Sequence, residues 1–465
     1  MNNKRVLGIF GLDAAGGLLA RRALDAGSAL VLHGPSAGRE ILSRLEAEPP
    51  GGAESIRVAE DAASFVDRLP SPRVVMVCLE AARSIEESGR PGLLPGLLGR
   101  LEGGDIVIAC SGNDWSRLAP LARLCKERGL GCLDIGVTGP SLRAVVAAGG
   151  ESTDWAVAAE ILGPWAAGAR VGAPGSGCSA ALVRSALEGL GIELLAEVYH
   201  VMLRGLRAKN DEIRTTFAEW NSGDLADPLL ASTADALGLM DEDGEPLIEK
   251  VLDVASARGA CSKAASLALE AGVPAPMMAQ AACARAMAAR KDERVAASAV
   301  LGGPKAAPTG DRGVMVEELR KALGAAGILA AAEGIFLLGT ASERRELEMD
   351  LVLAARLWAE RGRSAVLERA SEALGRGGAG KSILLDAAIK TSLDQGLPSL
   401  RRLVARSLEA GIPVPALAAA LASYDCYRST WLPANLSRAL EDSMHGIGFE
   451  RVDRPRGESF HSEWK

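Results

Sequence analysis

Short apolar runs alternate with amphipathic stretches up to about residue 139. The amphipathic stretches, such as GLLARRALDAG (17–27), repeat their apolar residues with the period of a helix. Strands that alternate with helices form parallel βαβ units. This part of the chain is therefore predicted to fold as a Rossmann-like, doubly wound parallel sheet of the α/β class. The apolar runs are VLGIFG (6–11), ALVLHG (29–34), RVVMVCL (73–79), DIVIAC (105–110) and CLDIGV (132–137).

From about residue 178 the pattern is helical only, and it repeats. EAGVPAP begins at Glu270 and EAGIPVP begins at Glu409, each between two Ala- and Leu-rich helical stretches. Glycine followed by proline ends one helix and lets another begin, so two similar turns can also arise by chance. The length and placement of the match favour duplication of a helical unit. We expect three parts: a Rossmann-like NAD(P)-binding-type domain (1–177), a large duplicated all-α domain (178–445) and a C-terminal tail (446–465).

Composition and charge exclude several classes of protein. The formal net charge of −7 argues against nucleic-acid binding. The eight cysteines include no CxxC pair, and the four histidines have no metal-ligand spacing. We therefore expect free thiols in a reducing cytoplasm and no metal site. No run of about 20 uncharged apolar residues is present, so we expect no membrane span.

The first strand runs into a glycine-rich turn and then a helix, as in dinucleotide-binding domains. Gly11 and Gly16 have the spacing of the phosphate-binding loop, in which backbone N–H groups hold a pyrophosphate. Asp13, however, stands where a second small residue is expected, and its charge would repel the phosphates. The second strand ends in His33, Gly34 and Pro35, without an acid for a ribose hydroxyl or an arginine for a 2′-phosphate. The loop predicts the fold better than it predicts the ligand.

Two other motifs are interpreted as turns. GRGGAGKS (375–382) matches the phosphate-loop pattern, but the preceding AVLERASEAL is helical, whereas a true phosphate loop follows a strand. DEDGE (241–245) has its glycine too early for a calcium loop.

Four stretches resemble 6-phosphogluconate dehydrogenase, and the resemblance extends over nearly the whole chain. It implies NADP as cofactor and a homodimer whose tails thread into the opposite subunits. Members of the family oxidise and decarboxylate 6-phosphogluconate to ribulose 5-phosphate in the pentose phosphate pathway, with a lysine as general base and a glutamate as general acid. The stretches are FAEWNSGDL (217–225), KDERVAAS (291–298), SYDCYRSTWLPANL (423–436) and FERVDRPRGESFHSEW (449–464).

When the family's catalytic residues are matched to this sequence one by one, the general acid is present and the general base is absent. Glu188 matches the acid, but the lysine position is Ala181. The His-Asn pair that follows the lysine is Arg184 and Ser185, and the tyrosine expected at the substrate phosphate is Gly189. Arginine is no substitute base, because a guanidinium stays protonated at physiological pH.

Changes also affect the loops around that site. The Ser-Gly-Gly substrate loop is Thr138, Gly139 and Pro140, and proline lacks an N–H and fixes φ. The family's KGTGKWT is RGACSKA (258–264), which keeps a cation at Arg258. On the cofactor side, the resemblance implies contacts from Gly11, Gly16 and Asn113.

Groups that would hold a phosphate or carboxylate are better retained than groups that would move a proton. The retained residues are Arg258, Arg294, Arg451 and His461. Together with Thr138, Gly139 and Ser185, they would bind the substrate. Each of these cations, taken singly, can also be an ordinary surface charge.

Taken together, the matches favour an anion pocket with weak or absent catalysis. Two alternatives remain. The first is an active, divergent dehydrogenase for a related phosphorylated sugar acid, in which Lys263 replaces the base. The second is a non-catalytic regulatory subunit or a heterodimer with an active paralogue.

Overall fold

The described residues of the first part of the chain form a seven-stranded sheet and five helices. In the computed structural model of the protein, the described residues are 5–33, 41, 43, 45, 55–79, 93–110, 115–138, 145–164, 170–257, 259–304, 311–377 and 382–464. The first twelve elements are β1 Val6–Phe10, α1 Ala14–Asp25, β2 Ala29–His33, β3 Ile56–Ala59, α2 Ala62–Asp67, β4 Val74–Cys78, α3 Leu93–Leu98, β5 Ile106–Cys110, α4 Trp115–Glu127, β6 Gly131–Thr138, β7 Val145–Gly150 and α5 Ser152–Leu162.

The strand order is β3-β2-β1-β4-β5-β6-β7. All neighbouring strands are parallel except β6 and β7, which are antiparallel. The chain reverses direction across the sheet after β3, as in doubly wound folds, so the carboxyl ends of β1 and β4 border a crevice where ligands bind in such proteins. The predicted Rossmann-like sheet is confirmed. Two strands were not predicted, β3 and β7.

Twelve helices follow in the described part of the chain, as the helical pattern predicted. Their core is built largely from Leu, Ala and Val. The helices are α6 Ser176–His200, α7 Asn210–Asn221, α8 Pro228–Gly238, α9 Ala260–Glu270, α10 Pro276–Ala288, α11 Lys291–Val300, α12 Arg312–Arg344, α13 Leu351–Gly362, α14 Ala365–Gly377, α15 Ala387–Glu409, α16 Pro415–Arg428 and α17 Ala434–His445.

The two copies of the repeated turn are held by a reciprocal pair of buried glutamates. Glu197 on α6 accepts hydrogen bonds from the N–H groups of Ala416 and Leu417 at the start of α16, at 2.6 and 2.9 Å. Glu333 on α12 does the same for Met277 and Met278 at the start of α10, at 3.1 and 2.9 Å. Each half of the helical domain thus caps a helix of the other half. This symmetry supports duplication over chance similarity of two turns.

Both glutamates titrate well above their ordinary range. Burial raises the pKa of Glu197 and that of Glu333 to about 7, and the two backbone N–H donors at each site partly offset this effect. A carboxylate at a helix N-terminus also interacts favourably with the helix dipole.

Helix α12 is long and apolar enough to cross a membrane, judged by length and composition alone. In its most apolar window, 61% of the residues are buried inside the protein. This burial is typical of a core helix in a globular domain.

Candidate functional site

The glycine-rich turn after β1 has the backbone of a dinucleotide loop. Gly11 lies at φ +80°, a left-handed conformation that favours glycine. A Cβ on Gly16 would lie 2.5 Å from the Sγ of Cys78 on β4, so only glycine lets α1 pack this closely on the sheet. These two positions therefore keep the scaffold that a pyrophosphate requires.

Asp13 occupies the anion position of that scaffold. It is the N-cap of α1, and its Oδ1 accepts a hydrogen bond from the N–H of Gly16 at 2.7 Å. At the amino end of α1, a dinucleotide phosphate would otherwise accept hydrogen bonds from the backbone N–H groups. The carboxylate therefore competes with a phosphate for the same donor, in addition to repelling it.

His33, at the carboxyl end of β2, is buried among aromatic rings. Its ring stacks on Phe10 with centroids 4.4 Å apart and meets the edge of Phe65 at 6.0 Å. It therefore fills the core at a strand end where dinucleotide-binding domains place an acid for the ribose. Gly34 and Pro35 lie outside the described residues.

A buried aspartate anchors the long helix α6 to the sheet. Asp134 on β6 accepts hydrogen bonds from the N–H groups of Gly175 and Cys178, both at 2.6 Å. Burial raises the pKa of Asp134 to about 6, although the backbone donors oppose that rise. The amino end of α6 is thus fixed against β6, and the side chains along α6 have defined positions.

An open pocket of about 490 Å³ lies beside α6. Ser185 and Glu188 line it from α6, the turn Gly259–Ser262 lines it from the start of α9, and Arg285 lines it from α10. Arg285 donates from Nε to the carbonyl of Ser256 at 3.3 Å. The pocket therefore combines a carboxyl group, a hydroxyl group and a guanidinium, which suits a polar anion.

On the next face of α6, Arg184 lies beside Glu188. The Nη1 of Arg184 is 3.8 Å from an Oε of Glu188. The Arg184 side chain is only 13% exposed, and among the described residues it makes no hydrogen bond. Glu188 is therefore influenced by a nearby cation that does not hold it in a fixed geometry.

The tail after α17 is organised by one residue, Asp442. Its buried carboxylate accepts hydrogen bonds from the Gly448 N–H at 2.8 Å, the Ser462 N–H at 3.2 Å and the Trp464 indole at 2.7 Å, and it pairs with the Nδ1 of His461 at 2.8 Å. These bonds, led by that of Trp464, lower the pKa of Asp442 to about 2. A backbone bridge between Phe449 and Phe460 closes the same loop.

The comparisons with known proteins agree over the whole chain. Residues 6–178 match the NAD binding domain of 6-phosphogluconate dehydrogenase, and residues 181–464 match the 6-phosphogluconate dehydrogenase C-terminal domain. Decarboxylating 6-phosphogluconate dehydrogenases of Haemophilus influenzae and Escherichia coli K12 are each 30% identical to this chain. The first match covers 100% of this chain and 97% of the relative, and the second covers 99% of both. This chain belongs to the 6-phosphogluconate dehydrogenase family.

A solved structure of a family member also matches this chain. The Plasmodium falciparum 6-phosphogluconate dehydrogenase, determined apo, with its cofactor NADP+ and with its substrate 6-phosphogluconate, matches with a TM-score of 0.89 and 26% identity. The match covers 98% of this chain and 100% of that chain.

The residues predicted at the 6-phosphogluconate dehydrogenase site are brought together only in part. Ser185 and Glu188 line one pocket, and Thr138 ends β6 as a buried residue. Ala181 is 2% exposed, and a Cβ on Gly136 of β6 would collide with its methyl group. The lysine position is thus closely packed against the sheet. Gly139, Pro140, Asn113 and Arg258 lie outside the described residues.

A thiol from another helix packs against Gly189, the residue predicted to stand at the tyrosine position of the family. A Cβ on Gly189 would lie 2.9 Å from the Sγ of Cys261, which donates to the carbonyl of Ala186 at 3.2 Å. Gly189 and Cys261 therefore form a matched pair, and a side chain restored at one position would displace the other.

Arg294 and Lys263 are not among the residues that line this pocket. Arg294 donates to the carboxylate of Asp253 at 3.1 Å and to the carbonyls of Asp253 and Ala288. Lys263 is exposed on α9. The cation that does line the pocket is Arg285, which the sequence motifs did not single out, because it stands in an Ala-rich helix without a distinctive neighbour.

The two predicted tail residues differ in their partners. Arg451 is paired with Asp453 through two hydrogen bonds of 2.8 and 2.7 Å, and its guanidinium lies over the ring of Phe460. His461 bonds Asp442 through Nδ1, while its side chain is 62% exposed. The exposed Arg451 pair contributes little energy and can exchange its partner for another anion.

Of the remaining motifs, DEDGE (241–245) folds as a turn, as predicted. In GRGGAGKS (375–382) the helix α14 continues to Gly377, so the predicted turn is wrong for its first three residues, and residues 378–381 lie outside the described part. Asp241 and Asp243 both bind the Nζ of Lys250, at 2.6 and 2.5 Å. Among the described residues, no group of three or more His, Cys, Asp or Glu side chains could hold a metal ion.

Proposed function

We propose that this protein binds a phosphorylated sugar acid in the pocket of Glu188 and Arg285 and oxidises it slowly or not at all. The observation that carries the proposal is the pocket itself: it keeps an acid, a hydroxyl and a guanidinium, but no lysine is among the described residues that line it. A general base contributes about 10²–10⁴ in rate. The alanine at the lysine position is therefore expected to slow turnover by a similar factor.

NADP is proposed as the family's cofactor, but bound weakly. Support comes from Asp13, which already accepts the Gly16 N–H at the amino end of α1. A pyrophosphate does not fit this arrangement unless the aspartate gives up its bond.

Paired calorimetric titrations of the full-length protein test the binding part of the proposal. We expect 6-phosphogluconate to bind, and Arg285→Gln to weaken its affinity by about tenfold or more, because a phosphate or carboxylate loses a charged donor. Arg438→Gln, on the exposed surface of α17, is the matched control and is expected to change nothing. Absence of 6-phosphogluconate binding, or tight NADP binding by the unmodified protein, would contradict the proposal.

A homodimer is proposed from the surface of α17. Leu436, Leu440 and Met444 are exposed at four-residue spacing, which forms one apolar face of the helix. An apolar face of this kind is usually covered in a soluble assembly, and closed symmetric self-association is the common arrangement. Sedimentation that gives a monomer at micromolar concentration would contradict this proposal.

A heterodimer with an active paralogue is the second candidate, and the order of the tail favours it. Asp442 keeps His461 in a fixed position at the surface, although the chain lacks the lysine that its own site would use. In such a heterodimer, the tail of this chain would complete the active site of the paralogue, the one site of the pair that has the catalytic lysine. The test is to isolate mixed dimers after co-expression and to compare Arg451→Ala with the parent. The hypothesis predicts a raised KM for 6-phosphogluconate in the mixed dimer; an unchanged KM, or no mixed dimer, would exclude it.

We also propose a division of the chain into residues 1–177, 178–445 and 446–465, and a cytoplasmic location. The division is supported by the matches to the two family domains, which meet between residues 178 and 181. The location is supported by the eight cysteines, all of which are free thiols.

A further inference from the structure

A second polar pocket lies at the opposite end of α6 from the sheet. After His200 the helix continues into a π-helical turn, Val201–Gly205, a rare conformation that occurs frequently at functional sites. The pocket, of about 500 Å³, is bounded on one side by this turn and on the other by Ala410–Ile412, the second copy of the repeated turn. Its volume is within the range of small-molecule sites.

The two charged side chains among the described residues that line this pocket, Arg204 and Arg207, are both positive. His200, Arg204 and Arg207 line it, and no carboxylate is among the described residues that do. Arg207 adopts φ +51°, a left-handed conformation that costs a non-glycine residue energy. The pKa of His200 is lowered, first by burial and then by the charge of Arg204. The neighbourhood thus repels a further cation.

None of these three side chains forms an ion pair or a hydrogen bond with any described residue. Arginines near a helix end often donate to its last carbonyl groups. Here the carbonyls at the end of α15 are already taken by the N–H groups of Ala410, Gly411 and Ile412. The arginines therefore do not serve as caps for that helix.

The corresponding turn of the first repeat shows a different balance of charge. There Glu270 attracts Arg345 from the end of α12. At the second turn the equivalent acid, Glu409, forms no ion pair with any described residue. The acid of the first turn thus attracts one of the two neighbouring arginines, Arg344 and Arg345, whereas the acid of the second turn pairs with none of the described cations.

We propose that this pocket, lined by His200, Arg204 and Arg207, binds a small phosphate-bearing molecule. Guanidinium groups match phosphate oxygens in charge and geometry. Twelve helical residues separate His200 from Glu188, which corresponds to about 18 Å along α6. The site is thus separate from the sugar-acid pocket. A bound phosphate would join the end of α6 to the turn that precedes α16, beside the cap made by Glu197.

Calorimetry with inorganic pyrophosphate tests this site separately from the other pocket. The titration is made on the full-length protein and on Arg285→Gln, in which the sugar-acid pocket has lost its cation. The double variant Arg204→Gln with Arg207→Gln is then made in both backgrounds. Arg204→Lys keeps the charge, and Arg438→Gln is the surface control. The thermal midpoint of each ligand-free variant reports whether it is folded.

We expect Arg285→Gln to retain pyrophosphate binding, and the double variant to weaken it by about tenfold or more in both backgrounds. Arg204→Lys is expected to weaken binding less than the double variant does, because it keeps the charge and loses only the two-pronged geometry of the guanidinium. Pyrophosphate binding that disappears in Arg285→Gln, that never occurs, or that persists unchanged in a folded double variant would overturn the proposal. The sugar-acid pocket is judged by 6-phosphogluconate binding, so the two proposals can fail independently.

Discussion

Two aspartates at opposite ends of the chain use the same chemistry with opposite consequences. Asp13 accepts an N–H three residues away and closes the amino end of α1 to an external anion. Asp442 accepts donors from Gly448, His461, Ser462 and Trp464, and so orders a segment that would otherwise lack a core. Asp13 thus takes up a donor at a helix end that an external anion could use, whereas Asp442 fixes the conformation of an exposed tail.

On the proposed function, the difference separates groups that the chain would use itself from groups that it would present to a partner. The nucleotide loop and the lysine position concern groups that the chain would use for its own reaction, and both have changed. The tail carries the groups that a dimer of the proposed kind would present to the neighbouring subunit, and four donors of the chain bind Asp442 there. On the proposed function, the changes are therefore concentrated on the redox side of the site, and order is retained in the tail that a partner would receive.

The largest expected effect follows from removing the organiser of the tail. In Asp442→Ala, four donors lose their acceptor, and we expect amide exchange of residues 446–464 to accelerate on the order of 10²-fold or more. Hydrogen–deuterium exchange with mass spectrometry measures this. Asp453→Ala, which removes only the exposed partner of Arg451, is the control and should leave the tail protected. Equal exchange in both variants would mean that Asp442 does not organise the tail.

The next effect concerns the opposite aspartate. Asp13→Ala frees the Gly16 N–H and removes a negative charge, so NADP affinity is expected to rise by about tenfold. The lost cap is expected to cost about 1 kcal/mol of stability. Asp61→Ala is the matched control, because Asp61 caps α2 in the same way by accepting from Ser64 at 2.7 Å. It should lower the thermal midpoint without changing NADP affinity. No gain in affinity from Asp13→Ala would contradict the role given to this residue.

A smaller effect is expected from restoring the base alone. Ala181→Lys is expected to raise turnover of 6-phosphogluconate by less than about tenfold, because Asp13, Ser185 and Gly189 remain changed and such groups act as a unit. The close packing of Ala181 against Gly136 also limits where the new side chain can go. Initial rates and the thermal midpoint should be measured together. Recovery of an ordinary rate by this single change would show that the other departures are unimportant.

The smallest effect is the response of the tail to mild acid. The pKa of Asp442 is lowered to about 2, so its contribution to stability is complete above the ordinary aspartate pKa of 3.8 and is lost as the pH falls toward 2. Tail protection should therefore be constant from about pH 8 to about pH 4 and decline only below that, after correction for intrinsic exchange rates. Loss of protection near pH 6 would mean that another group, and not Asp442, controls the tail.

The sequence predicted the sheet well wherever a strand is buried on both faces. The runs that became β1, β2, β4 and β5 are nearly continuous apolar segments, as parallel strands require, and the run of β6 is interrupted only by the buried Asp134. The strand β3 was missed because two of its four residues are exposed at the sheet edge, which leaves no apolar run. The strand β7, VVAAGG, was missed because small residues and glycines are poor strand formers.

The site was less predictable because its organising residues act over long distances. Asp134, Glu197 and Asp442 each accept backbone N–H groups from segments far along the chain or around a loop, and no local pattern marks them. Glu197 and Glu333 have one detectable signal, since they occupy equivalent helices of the duplicated unit. Comparison of the two repeats beyond the EAG turns could have paired them.

The central claim is that this family member keeps an anion pocket but carries out little redox chemistry. Its most direct test is the steady-state rate of NADP reduction by the unmodified full-length protein with saturating 6-phosphogluconate and high NADP. The account predicts a kcat below about 0.1 s⁻¹, which is a typical enzyme rate of about 10 s⁻¹ reduced by at least the lower estimate for a lost base. A kcat near 10 s⁻¹ would contradict it.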